Sequence, residues 1–188
     1  MEFWSDVVPR REQFFQGGIE WNLGERSFNG RERNPAFRNL GGMRFEDVGF
    51  VLGIDGIEDG RGAVAADLTG DGAPDLAVNN RGQAMRLWRH RGYADRGWCT
   101  VRLRGRQAGN REAIGATVTC AVPGRPLQAL PITAGTGFLS QGPAEACFGL
   151  AGAATCTVTV RWPGGRVTTH EGLGAGVHVI DEATGKPR

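Results

Sequence analysis

The stretch Thr155-Cys156-Thr157-Val158-Thr159-Val160-Arg161-Trp162-Pro163-Gly164-Gly165-Arg166-Val167-Thr168-Thr169 reads as two β-strands and the turn between them. Cys156, Val158, Val160 and Trp162 alternate with Thr155, Thr157, Thr159 and Arg161, the period-two pattern of a strand with one buried face. Pro163-Gly164-Gly165 stops that strand, and Arg166 to Thr169 is placed to return as the second arm of a hairpin. The same alternation recurs upstream. Cys99, Val101 and Leu103 share one face of Trp98–Leu103, and Ala116, Val118 and Cys120 share one face of Ala116–Cys120. Val177–Ile180 is a last strand before the polar tail Thr184–Arg188. Thirty-one glycines and nine prolines lie between these short apolar runs in a chain of 188 residues, which fits an all-β protein with many turns better than a helical one. Residues 97–188 are therefore expected to form an antiparallel β-sandwich or barrel.

Four cysteines are present, Cys99, Cys120, Cys147 and Cys156, with no CxxC and no zinc-site spacing. Three of them fall on apolar strand faces and are expected to be buried small hydrophobes. One or two disulfides are the alternative, with three possible connectivities.

Residues 36–96 carry shorter strands. Arg44–Val48 alternates apolar and polar, Gly62–Ala66 feeds a loop, Leu76–Val78 leaves it, and Met85–Arg89 follows. Phe37-Arg38-Asn39-Leu40-Gly41 is echoed by Leu87-Trp88-Arg89-His90-Arg91-Gly92, a hint of one repeat of about fifty residues, the length of a propeller blade. Residues 1–35 are irregular and carry six aromatics, Phe3, Trp4, Phe14, Phe15, Trp21 and Phe28. Such side chains pack either on the protein's own body or on a partner, as a docking arm.

The loop Asp67-Leu68-Thr69-Gly70-Asp71-Gly72-Ala73-Pro74-Asp75 places carboxylates at positions one, five and nine and a hydroxyl, Thr69, at position three. Gly72 stands at position six, where an oxygen-lined loop turns sharply, and the carbonyl of Ala73 at position seven. Oxygen donors at this spacing suit a hard cation, Ca²⁺, with Asp67, Thr69, Asp71, Ala73 (backbone) and Asp75 as ligands. The plainer reading is an Asp/Gly-rich turn between strands. Val78 at position twelve rules against an EF-hand, which needs Glu there.

A net charge of +2 with acidic and basic residues interleaved argues against nucleic acid as a partner. No apolar run approaches the roughly 20 residues that span a bilayer, and no signal peptide is visible at the start of this chain. No catalytic set stands out. Ser140 lacks a strand-turn-helix context, and His90, His170 and His178 lack ligand spacing, although His170 and His178 lie across a glycine turn where they could approach.

Five blocks in order carry a family resemblance: Val101-Arg102-Leu103-Arg104-Gly105, Asn110-Arg111-Glu112-Ala113-Ile114-Gly115-Ala116, Gly135-Thr136-Gly137-Phe138-Leu139-Ser140-Gln141, Phe148-Gly149-Leu150, and Val160-Arg161-Trp162-Pro163-Gly164-Gly165. This text resembles the ASPIC/UnbV domain over roughly residues 97–182. The segment from Asn39 to Arg91 is similar to an FG-GAP/VCBS-type calcium-binding repeat, which precedes that domain in relatives such as the cartilage acidic protein family. The resemblance implies an all-β, extracytoplasmic (periplasmic or secreted), calcium-binding protein, and it implies no established activity. A lone blade-like repeat cannot close a propeller of about four or more blades. Its edges must then be covered by the sandwich, the aromatic arm or a partner. The expectation is a non-enzymatic, calcium-stabilised interaction module, a structural or accessory subunit of a larger periplasmic or membrane-associated assembly. Alternatives are an enzyme or small-molecule-binding protein of secondary metabolism, and a carbohydrate-binding sandwich.

Overall fold

The computed structural model describes residues 32–91 and 97–185. The aromatic arm therefore lies, apart from its last four residues, outside the described residues. Twelve strands follow in chain order: β1 (Phe37–Gly41), β2 (Arg44–Asp47), β3 (Gly60–Ala66), β4 (Asp75–Asn80), β5 (Arg86–Trp88), β6 (Trp98–Arg104), β7 (Thr117–Ala121), β8 (Gln128–Pro131), β9 (Glu145–Gly149), β10 (Cys156–Arg161), β11 (Val167–Leu173) and β12 (Gly176–Asp181). One helical turn, α1 (Gly49–Leu52), stands between β2 and β3. The protein is all-β, as its composition indicated. No helix among the described residues is long and apolar enough to cross a membrane.

The chain divides into two compact units. In the larger, two sheets build a sandwich. One has the order β11-β10-β7-β8 and the other the order β12-β6-β9. The alternation read from Cys156 to Trp162 is realised: Cys156, Val158, Val160 and Trp162 are buried. Val158 stands opposite Cys120 and Val160 opposite Val118 on β7, so the apolar face of one strand meets that of the next. From the other sheet come Cys99, Val101 and Leu103 of β6, Ala146 and Phe148 of β9 and Ile180 of β12, and all of these side chains form one core. The turn after Trp162 is closed by its amide donating to the Arg166 carbonyl (2.9 Å) and by the Gly165 amide donating to the Trp162 carbonyl (2.9 Å).

One pair departs from the antiparallel expectation. β12 runs parallel to β6, with Gly176 beside Cys99 and Asp181 beside Arg104. The antiparallel hairpin β10–β11 ends in one sheet, and the short Gly174-Ala175 link carries the chain into the other, where β12 lies beside β6.

All four cysteines are free thiols. Cys99, Cys120 and Cys156 are buried and Cys147 is half-buried. Burial, reinforced by the neighbouring Cys156, pushes the Cys120 thiol up to about 12, and Cys99 is raised by the same causes. Cys99 and Cys120 thus stay protonated at ordinary pH, and with Cys156 they are buried like the small hydrophobes the alternation indicated.

In the smaller unit β1 and β2 pair as an isolated antiparallel hairpin, Phe37 opposite Asp47. The alternation in Arg44–Val48 pointed to a half-buried strand, yet every residue of β1 and β2 is exposed, Phe45 at 57 %. The apolar side chains of Phe37, Met43, Phe45, Phe50, Val51 and Leu52 all face solvent. Asp47 Oδ1 accepts the Gly49 amide (2.9 Å) at the start of α1, and Gly53, in the left-handed region at φ +66°, ends it. Glu58 pairs with Arg86, and the Asp59 amide donates to Gln83 Oε1 (3.0 Å). The three-stranded sheet β3-β4-β5 is separate from the β1–β2 hairpin.

Candidate functional site

The loop joining β3 to β4 carries the residues singled out as cation ligands, and it is organised by its own amides. Asp67 opens it. Its Oδ1 accepts the Gly70 amide (2.7 Å) and its Oδ2 the Gly72 amide (2.9 Å). Asp71 Oδ1 accepts the Ala73 amide (3.1 Å). Asp75 closes the loop and is 1 % exposed. Its Oδ2 accepts the Leu68 amide (3.1 Å) and its Oδ1 the His90 amide (2.8 Å). The amide and hydroxyl of Thr69 also bond it. These are side-chain-to-backbone bonds of the kind that make Asp a turn residue.

Two glycines let the chain follow this path, Gly70 at φ +76° and Gly72 at φ +89°. At Gly72 there is a further constraint. A Cβ there would run into the ring of Trp98, which occupies the space beside the glycine.

The His90 amide, more than any other group, holds the Asp75 carboxyl below the usual carboxylate range, helped by Leu68 and Thr69 and opposed by burial. The sign follows. A carboxylate with a depressed folded-state value contributes stability above its unfolded value, near 4, and that contribution is lost as pH falls through the folded value. Asp75→Asn should therefore lower the melting temperature at pH 7, measured with chelator present. The gap to the unsubstituted protein should narrow steadily as the solution is taken below about pH 5. A gap that stays constant down to acid unfolding would show that the Asp75 charge contributes nothing.

The donor chemistry of the loop fits a hard cation. It offers three carboxylates and a hydroxyl, and each carboxylate oxygen that accepts one amide keeps a further lone pair. The side chains themselves do not converge: among the described residues no three His, Cys, Asp or Glu side chains form a group able to hold a metal. Arg89 lies 3.8 Å from Asp71 Oδ2, a long and exposed pair of little energetic weight.

Two partners of the loop carried no signal in the sequence. The His90 amide and the Trp98 indole reach it from 15 and 26 positions beyond Asp75 and Gly72. Beside the loop is a cavity of about 370 Å³ lined by Ala73, Pro74, His90, Trp98, Cys147 and Gly149. Burial raises the Cys147 thiol there, and a bond from Thr100 opposes the rise. His170 and His178 are not brought together. They lie on strands of different sheets. The His170 ring contacts Thr168 Oγ1 (3.2 Å) and the His178 Nε2 contacts the Gly174 carbonyl (2.9 Å).

No curated protein matches the chain. The family described as ASPIC and UnbV has a model that matches residues 106–186, a span that runs from just beyond β6 through the whole of β12.

Proposed function

We propose that the protein is a non-enzymatic, calcium-stabilised interaction module, exported to the periplasm or beyond, that serves as an accessory subunit of a larger protein assembly. The observation that carries the reading is the β3–β4 loop, which sets oxygen donors at calcium-loop spacing and has a glycine where the sharp turn falls. The ion would be held by Asp67, Thr69, Asp71, the carbonyl of Ala73 and Asp75, and would neutralise carboxylates that now rely on backbone amides. In this reading the segment before the sandwich is an FG-GAP/VCBS-type repeat. The solvent-facing Phe37, Phe45, Phe50, Val51 and Leu52 supply apolar area for a protein partner.

Few carboxylates make for modest affinity, about 10⁻⁵ to 10⁻³ M. Calcium at one hundred times its dissociation constant should then add about 2.7 kcal/mol of stability. Melting with calcium and with chelator reads this directly, and Asp71→Ala should reproduce the chelated curve. Identical melting under both conditions, with no calcium found by elemental analysis, would end the proposal. The cavity beside Trp98 favours a second reading, a small-molecule-binding protein. Saturable quenching of tryptophan fluorescence by a small aromatic ligand, abolished by Trp98→Ala, would support it over the first.

A further inference from the structure

Three arginines within eight residues of sequence, Arg104 to Arg111, are gathered at the far end of β6. Arg104, Arg106 and Arg111 line a pocket of about 550 Å³, together with Gly105, Gln107 and Asp181. None of the three makes an ion pair with a described residue. Arg102, on β6 with Arg104, does, with Glu145 at 2.7 Å. One carboxylate oxygen of each of Asp181 and Glu182 is engaged by backbone amides. Asp181 Oδ1 accepts the amides of Ala183 (2.7 Å) and Thr184 (3.3 Å). Glu182 Oε2 accepts the Arg106 amide (2.8 Å). Three guanidiniums thus stand beside Asp181 and Glu182, each with one oxygen occupied by backbone amides, and beside the exposed Glu112 of the same loop.

The loop bearing these arginines is fixed. The Gly105 amide donates to the Arg111 carbonyl (2.8 Å) and the Glu182 amide to the Arg104 carbonyl (2.9 Å). The side chain of Asn110 clamps Ile114 twice, accepting its amide at Oδ1 (2.8 Å) and donating from Nδ2 to its carbonyl (2.9 Å). A Cβ at Gly105 would run into the Asn110 carbonyl oxygen, so the loop closes this tightly only on glycine. Arginine forks on a rigid frame are suited to planar, bidentate recognition of carboxylate, sulfate or phosphate groups.

We propose that this pocket is an oxyanion-binding site for a ligand bearing two or more sulfate, phosphate or carboxylate groups. Three guanidiniums offer more paired donors than one such group can use, and the pocket is wide enough for a second. The shared chemistry comes from two sources, a small free polyanion or the same groups spaced along an acidic oligosaccharide.

The test uses the full chain at low ionic strength, with amide shifts recorded by NMR. The probes are inorganic phosphate, inorganic pyrophosphate and a heparin tetrasaccharide. The expected result is saturable shifts confined to residues 104–111 and 181–182, with pyrophosphate or the tetrasaccharide binding at least about tenfold tighter than phosphate. The tighter of the two identifies the source. Arg106→Gln or Arg111→Gln should weaken binding about tenfold, the loss of one charge-assisted pair. Arg161→Gln, which removes an exposed arginine on β10, should leave binding unchanged. Salt should weaken the interaction, because the pocket is open to screening. Shifts scattered over the surface, equal losses in the Arg111 and Arg161 variants, or no saturation with any probe would each overturn the proposal.

Discussion

Gly72→Ala is expected to be among the most damaging single-methyl additions this protein can receive. Two independent terms act at the same position. Gly72 is at φ +89°, where a Cβ costs about 1–2 kcal/mol. The new methyl would also overlap the Cζ2, Cε2 and Cη2 atoms of the Trp98 ring. Those ring atoms are not the free end of a flexible chain. Trp98 begins β6, whose next residue, Cys99, is fully buried. Forcing the ring aside adds an overpacking cost of about 1–3 kcal/mol. Together the loss should reach about 2–5 kcal/mol, a large part of the 5–15 kcal/mol typical of a whole protein. Gly70→Ala separates the terms. Gly70 has a similar φ of +76° but open space where its Cβ would point, so it should show the backbone cost alone. Thermal or urea unfolding of both variants checks this. Equal losses at the two positions would mean that the indole is not seated on Gly72, and Trp98→Ala would then fail to rescue the Gly72 variant.

Trp162→Ala should cost a comparable amount, about 3–5 kcal/mol, for a different reason. Trp162 is the largest of the fully buried side chains, and its Nε1 donates to Thr168 Oγ1 (3.0 Å) across the β10–β11 turn. Truncation removes the ring from the core and leaves a void in a region where both sheets meet. Trp162→Phe keeps most of the volume. It forfeits the hydrogen bond, a net term of about 0.5–1.5 kcal/mol, plus part of the packing. Urea midpoints should therefore fall in the order unsubstituted, Phe, Ala. A midpoint for the Ala variant indistinguishable from the unsubstituted protein would contradict the seating of this ring in the core.

The sandwich strands were readable because burial on one face leaves a period-two mark. Cys156, Val158, Val160 and Trp162 show it without interruption, and Pro163-Gly164-Gly165 shows where it stops. The same mark misled at Arg44–Val48. Alternation says which side chains share a face but not whether anything covers it, and Phe45 faces solvent. The parallel pairing of β12 with β6 left no local trace, since the partners Gly176 and Cys99 are far apart in sequence and parallel neighbours are joined by no tight turn. In the loop, spacing identified Asp67, Asp71 and Asp75 as a set. It could not reveal that their oxygens are engaged by amides, nor that one of those amides belongs to His90. Arg104, Arg106 and Arg111 lie within eight residues of sequence, but only the fold of the 105–113 loop shows that they line one pocket with Asp181.

The pairing of β6 with β12 also decides how this region carries tension. β6 opens the sandwich and β12 closes it, and they lie side by side in the same direction over six residue pairs. A force applied at residue 97 and residue 185 pulls one strand toward its start and the other toward its end. The ladder between them is then sheared, so its hydrogen bonds resist together instead of opening one at a time as they would in a hairpin pulled from its free ends. A region strung in this way between neighbours would serve as a mechanical clamp, with the rupture force set by β6 and β12 and little affected by the β10–β11 hairpin.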